Sequence, residues 1–130
     1  MLETPIKDLA STGKNFAMLS VRLPNGQIAS HVMWVDADDE HVLINTEVHR
    51  DKFKALQSDP HATVTIWKAD NPYAYAEVRG EVVDTVRGPE ARSHIDTLSE
   101  RYTGQPYGAQ VESERVIVKI RPDRQRRRGL

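Results

Sequence analysis

Short stretches that alternate apolar and polar residues recur along most of this chain, and they constrain its fold more than any other feature. Asn15 to Val21 alternates in this way and is followed by Leu23-Pro24-Asn25-Gly26, whose Asn-Gly pair favours a tight hairpin turn. Gln27 to Val35 is predicted to be the return strand, and His41 to Thr46 the next strand after a polar turn. The first third of the chain is therefore predicted to be a β-meander.

Two segments depart from this two-residue period and indicate short helices. Between Glu47 and Asp59, apolar residues fall near helical spacing, and Asp59-Pro60 supplies a stop. Pro89 suits a first helical position, and apolar residues then recur at intervals of three and four until Gly104. The strand period returns in the ranges 62–68, 74–86 and 114–121, where Gly80 is a candidate for a bulge.

About six strands and two helices that do not alternate regularly predict a mainly β fold, a closed or nearly closed antiparallel barrel that hides its strand edges. A chain of 130 residues is the size of one domain. We assign residues 1–120 to this domain. The arginine-rich residues 121–130 have almost nothing to bury, so they are predicted to form a mobile basic tail.

Composition excludes several classes of function. The net charge of −1 and the lack of a recognition module argue against nucleic-acid binding, and no apolar run is long enough to span a bilayer. These features favour a cytoplasmic protein. The absence of cysteine removes thiolate chemistry, and the five histidines lack the close spacing of a metal site, so no metal is assigned. No phosphate-binding loop, nucleophile elbow or dinucleotide fingerprint is present.

Arg50-Asp51-Lys52 is the most informative local motif. It places two cations in the opening turn of the first predicted helix, where the backbone dipole disfavours positive charge. A bound phosphate would compensate, because helix amides and charge-assisted contacts both favour an anion there. A solvated turn partly neutralised by Asp51 explains the spacing equally well.

Three further side chains carry two interpretations each. Trp34 and Trp67 end predicted strands, and each either packs in the core or lies beside a planar ligand. His31 lies in the middle of a strand that should line one wall, and it either contacts a ligand or is an ordinary strand histidine.

Taken together, several segments resemble the pyridoxamine-phosphate-oxidase-like split-barrel family, in particular its branch dependent on coenzyme F420. The resemblance covers nearly the whole chain. The segments that carry it are Ser30 to Val35, Asn45-Thr46 with Arg50-x-Lys52, Leu56 to Asp59-Pro60 and on to Val64, Tyr75 to Gly80, and Arg101 to Gly104.

The resemblance implies a split barrel of Greek-key type that forms a homodimer, with the cofactor in a groove at the dimer interface. Arg50 and Lys52 match the positions that hold the cofactor phosphate. The segments His31-Val32-Met33 and Asn45-Thr46 would flank the ring, and Trp67 would close the wall. The family usually has a proline at the position of Val32 and an asparagine at that of Ala55.

The implied function is hydride transfer between F420 and an electron-poor organic small molecule. The cofactor would perform the chemistry, which accounts for the lack of an evident acid, base or nucleophile in the sequence. A proton would come from solvent or from His31. Two alternatives stay open, an FMN-dependent oxidoreductase of the same fold and a non-catalytic protein that carries F420.

Overall fold

The computed structural model describes all 130 residues, which form three helices and seven strands. The helices are α1 (Thr4–Ser11), α2 (Asp51–Ser58) and α3 (Pro89–Thr103). The strands are β1 (Phe16–Arg22), β2 (Ile28–Met33), β3 (Asp36–Ala37), β4 (Val42–Glu47), β5 (His61–Lys68), β6 (Asn71–Arg87) and β7 (Arg115–Arg128). None of the helices combines the length and the apolar character that crossing a membrane requires.

All seven strands belong to one antiparallel sheet that curls into a half-barrel, in the order β2-β1-β5-β6-β7-β4-β3. The Asn25-Gly26 turn joins β1 to β2, with Gly26 at φ +87°. The last strand, β7, lies between β6 and β4, so the C-terminal strand joins the two halves of the sheet. The prediction of a mainly β, antiparallel split barrel is confirmed.

One continuous core fills the concave side of the sheet. It is built from the inward-facing member of each alternating pair, such as Leu19, Ile66 and Val78, all of which are fully buried. Helix α2 contributes Phe53 and Leu56 to the same core. The two-residue period of the sequence therefore marks the buried face correctly.

Helix α1 and the two-residue strand β3 are additions to the predicted elements. Helix α1 is eight residues long and begins with Thr4-Pro5, and it buries Ile6, Leu9 and Ala10 against the barrel. Isolated helices of this length are marginal in water, so tertiary packing rather than local sequence decides that it forms.

The structure differs from the predicted mobile tail, because β7 continues through residues 121–128. Gly80 pairs with Pro122, and Tyr75 at the far end pairs with Arg128. Arg121 contacts Glu81 and Asp123, and Arg127 contacts Glu3. Backbone pairing and ion pairs hold residues 121–128 of β7 in place. Neither requires an apolar pattern, so this part of the strand could not be predicted from the sequence.

Hydrogen exchange tests whether residues 121–128 are a strand in solution. We expect the amides of this segment that face β6 to exchange markedly more slowly than an unstructured chain, because they are paired in the ladder. The exposed Asn25-Gly26 turn serves as the fast-exchanging reference. Uniformly fast exchange across 121–128 would support the mobile tail instead.

Gly80 lies at an irregularity in the sheet, as the sequence indicates. The register between β6 and β7 shifts between Arg79 and Gly80 and again between Val82 and Asp84. A β-carbon at position 80 would lie 2.1 Å from the carbonyl oxygen of Arg121 and 2.8 Å from Ile120 Cγ2. The position therefore has no space for a side chain.

The convex side of the sheet carries an exposed apolar patch, which we call the outer face. Phe16, Met18, Val32 and Trp67 form it, and their register places them on neighbouring strands. Val32 is 58% exposed and Phe16 40% exposed, and the rings of Phe16 and Trp67 lie 6.1 Å apart. Met18 and Trp67 are half-buried in the same patch.

Candidate functional site

A groove of about 360 Å³ opens between the N-terminus of α2, helix α3 and the strands β2, β4 and β7. This volume lies in the range of small-molecule sites. The residues that line it are Met33, Trp34, Asn45, Thr46, Arg50, Lys52, Ile95, Leu98, Tyr107 and Arg115. Three of them are cations and none is an acid, so the groove is positively charged as well as partly apolar.

Arg50 and Lys52 flank the start of α2 without a counter-ion. Arg50 is the residue before the helix, no side chain caps this end, and Lys52 is half-buried. Burial and then the positive charges of Arg50 and Arg115 lower the pKa of Lys52 from its ordinary value of 10.5. A protein that keeps three like charges together in this way is arranged to receive an anion.

Arg115 is the buried member of this cationic group. It begins β7 directly opposite Glu47 on β4 and is 7% exposed. Its Nη1 lies 3.7 Å from Glu47 Oε2, its Nε donates to Asn45 Oδ1 at 2.9 Å, and its guanidinium lies over the ring of Tyr107. Burial lowers the pKa of Arg115 from its ordinary value, but an arginine stays charged at neutral pH.

Glu47 holds the loop before β7 in place. Its Oε1 accepts hydrogen bonds at 2.8 Å from the backbone N–H groups of both Glu112 and Ser113. Burial would raise the pKa of Glu47, but these two hydrogen bonds and the charge of Arg115 outweigh burial and hold the pKa below its ordinary value of 4.5. Glu47 is therefore a carboxylate at neutral pH.

An aromatic wall closes the other end of the groove. The rings of Trp34 and Tyr102 are stacked, 5.1 Å apart and 7° from parallel, and Tyr107 meets Trp34 edge-on at 6.3 Å. The hydroxyl of Tyr102 donates to the carbonyl of Asn15, which fixes the stack to the barrel. Ile95 and Leu98 of α3 add an apolar flank.

The structure brings together five of the eight site residues that the sequence analysis proposed, namely Met33, Asn45, Thr46, Arg50 and Lys52. It does not place the other three in the groove. His31 pairs with Leu19 in the β1–β2 ladder, while Val32 and Trp67 lie on the outer face. No cluster of three metal-binding side chains occurs anywhere in the chain.

Sequence analysis missed Arg115, and it did not place Tyr107, Ile95 or Leu98 in a site. Arg115 begins a strand of alternating residues, so the pattern predicts that it lies on the solvent-exposed face of that strand. An arginine at the buried end of a predicted strand is a weak signal, and a sequence gives no means of seeing that Glu47 lies opposite.

The groove can bind an anion and a planar ring side by side. Three positive charges and the aromatic rings of Trp34 and Tyr107 line the same groove, and it is lined by no Asp, Glu or His. A phosphate-bearing, ring-containing cofactor of the flavin type fits both halves. The groove therefore offers few side chains suited to acid–base or nucleophilic catalysis.

Comparisons with known proteins agree with this description. A solved structure of an F420 reductase superimposes with a TM-score of 0.80 at 26% identity, over 97% of this chain and 98% of that chain. A conserved hypothetical protein from Mycobacterium tuberculosis gives a TM-score of 0.72 at 28% identity, over 98% of this chain and 84% of that one.

A third structure, General Stress Protein 26 from Bacillus anthracis, shares the fold at 20% identity, with a TM-score of 0.66 over 94% and 87% of the two chains. No curated protein shows significant sequence similarity to this chain. The family model for pyridoxamine 5'-phosphate oxidase matches residues 6–128. The chain therefore belongs to the pyridoxamine 5'-phosphate oxidase family, a group of oxidoreductases that bind flavin-type cofactors.

Proposed function

We propose that this protein is an F420-dependent oxidoreductase that transfers a hydride between the deazaflavin and an electron-poor organic substrate. The observation that carries the proposal is the set of three cations, Arg50, Lys52 and Arg115, that faces one groove without an acidic partner in that groove. Glu47 pairs with Arg115 alone, so Arg50 and Lys52 have no counter-charge, and a bound anion would supply one.

The deazaflavin is favoured as the cofactor by the likeness to an F420 reductase over almost the full length of both chains. Arg50 and Lys52 would hold the phosphate, and Met33, Asn45 and Thr46 would flank the ring. FMN is the alternative cofactor, because a cationic end and an apolar wall accommodate its phosphate and ring as well.

The chain itself would bind and orient the cofactor and would exclude water from the groove. When bound, the reduced deazaflavin supplies a hydride, and a proton from solvent completes the reduction of the substrate. Solvent is the favoured proton source because the groove is lined by no acid or histidine, and His31 lies outside it. Trp34 and Tyr107, which meet edge-on in the groove, would restrict the position of the bound ring and substrate.

We also propose a homodimer that covers the outer face. Exposed contiguous apolar patches on soluble proteins commonly mark interfaces, and Phe16, Val32 and Trp67 make such a patch. In this arrangement Val32 and Trp67 would act at the dimer interface rather than inside the groove of their own protomer.

A non-catalytic F420 carrier is the second candidate, favoured by the absence of an acid or base in the groove. Turnover separates the two functions. The enzyme should oxidise reduced F420 in the presence of at least one member of a panel of quinones, enones and tetrapyrroles. Tight binding with no oxidation by the whole panel would favour the carrier.

Replacing Lys52 by alanine should weaken binding of the preferred cofactor. Loss of one charge-assisted phosphate contact costs about 1 to 3 kcal/mol, which is roughly a 5- to 150-fold rise in Kd. The measurement is a parallel titration of the protein with F420 and FMN, before and after the substitution. The cofactor that binds more tightly to the unaltered protein is the one the chain prefers.

Lys54→Ala is the matched control, because Lys54 belongs to the same helix, is exposed and does not line the groove. It should leave the Kd nearly unchanged. Equal effects of the two substitutions would mean that general surface charge, rather than the groove, attracts the cofactor. The proposed phosphate site would then be wrong.

A further inference from the structure

We propose that His94 and Asn45 are positioning residues that set the direction of Arg115, so that Arg115 serves as the buried third cation for the cofactor phosphate. The proposal rests on the proposed function for the identity of the anion. It adds a residue that the motif Arg50-x-Lys52 does not contain, and it gives that residue a supporting chain of hydrogen bonds.

The supporting chain links four elements, β3, α3, β4 and β7. His94 Nε2 of α3 lies 2.9 Å from Asp36 Oδ2, and His94 Nδ1 lies 3.0 Å from Asn45 Nδ2. Asn45 Nδ2 also donates to the carbonyl of Ala91 at 2.9 Å, and Asn45 Oδ1 accepts from Arg115 Nε at 2.9 Å. A continuous path therefore runs from Asp36 on β3 to Arg115 on β7.

Each group in this path has one assignment of hydrogen-bond donors and acceptors that fits its neighbours. Arginine has no acceptor, so Asn45 must present its oxygen to Arg115 and its NH2 group to Ala91 and His94. His94 Nδ1 must then accept, which places the ring proton on Nε2, next to the Asp36 carboxylate. The neutral Nε2–H tautomer of His94 is thus the one that supports this orientation of the Asn45 amide.

The arrangement leaves one side of Arg115 free for a ligand. Nε is bound to Asn45, Nη1 faces Glu47, and the Tyr107 ring lies against the guanidinium with its centroid 5.2 Å away. Nη2 has no hydrogen bond to another protein group, although Arg115 is 93% buried and lines the groove. A donor without a protein partner, on an arginine that lines a cationic groove, is suited to an anionic oxygen.

Asn45 has a different role here from the one the sequence suggests. Its side chain is 6% exposed, and both amide atoms are used by protein groups. It therefore acts on the ligand through Arg115, while its position on β4 still forms part of the groove wall.

The first test needs no cofactor. Long-range 1H–15N correlation spectra of the ligand-free protein should show His94 as the neutral Nε2–H tautomer. The Arg115 Nε–H proton should exchange slowly with solvent, and His94→Leu should make its exchange at least tenfold faster. An Nδ1–H tautomer in the unaltered protein would overturn the proposal, whether or not any variant folds.

The second test is a double-mutant cycle read out by F420 affinity. His94→Leu should raise the Kd about 5- to 10-fold in the unaltered background and less than twofold when Arg115 is replaced by glutamine, because its effect passes through Arg115. An equal rise in both backgrounds would show that His94 supports the fold in general, and would overturn the proposal.

His41→Leu is the matched control. His41 makes a similar contact with Asp38, at 3.0 Å, but lies outside the groove. It should leave F420 affinity unchanged. If the unaltered protein binds no F420, the proposed function fails, and the tautomer and exchange measurements still decide whether Asn45 and His94 direct Arg115.

Discussion

Replacing Glu47 by alanine is expected to lower the free energy of unfolding by about 3 to 5 kcal/mol, a large fraction of the stability of a domain this size. The substitution removes the carboxylate opposite Arg115 and leaves the backbone N–H groups of Glu112 and Ser113 without their acceptor. Urea unfolding followed by tryptophan fluorescence and circular dichroism measures the change.

Glu100→Ala is the matched control, because Glu100 is exposed on α3 and belongs to no ion pair or side-chain hydrogen bond. It should change stability by no more than about 0.5 kcal/mol. A loss below about 1 kcal/mol for Glu47→Ala would mean that Arg115 does not depend on a buried counter-charge.

The contribution of Glu47 should also depend on pH. Its pKa is lower in the folded protein than the ordinary value of 4.5, so the stabilisation is complete above that value and is lost as the pH falls through the folded-state pKa. The stability difference between the unaltered protein and Glu47→Gln should therefore shrink in acid. A difference that stays constant on acidification would contradict this assignment.

Gly80→Ala is the second substitution with a large expected effect, a loss of about 3 kcal/mol or more. The added β-carbon would meet the backbone oxygen of Arg121, which cannot move aside without breaking the β6–β7 ladder. The same urea unfolding experiment measures this loss. In hydrogen exchange, the protected amides of residues 121–128 should be the first to exchange faster.

Gly108→Ala provides the comparison, because no atom lies within 4 Å of its β-carbon position and its φ is not positive. It should be neutral or slightly stabilising, since alanine restricts the unfolded chain. Comparable losses at positions 80 and 108 would mean that backbone freedom, rather than the close approach of β7, explains the glycine.

The sequence predicts the sheet well because strand formation here follows local alternation. The strands around Leu19, Ile66 and Val78 are marked by a two-residue period, and the turn at Asn25-Gly26 by its own chemistry. Helix α1 and residues 121–128 were not found, because their stability comes from docking and from pairing with a distant strand.

The candidate site likewise has one part that the local sequence reveals and another that depends on the tertiary fold. The motif at Arg50 and Lys52 is contiguous in sequence, so its charge could be recognised directly. Arg115 and Tyr107 come from a segment whose position depends on which strands pair. Trp67 shows a further limit of the sequence, since its place at the end of a strand does not reveal which face of the sheet it occupies.

The pairing of β4 with β7 also determines when, during synthesis, the groove is complete. Asn45 and Arg115 are 70 residues apart in sequence, so the contact between them closes a long loop. A chain still emerging from the ribosome has Arg50 and Lys52 early but lacks Arg115. Completion of the cationic groove is therefore a late event, after the rest of the barrel has been synthesised.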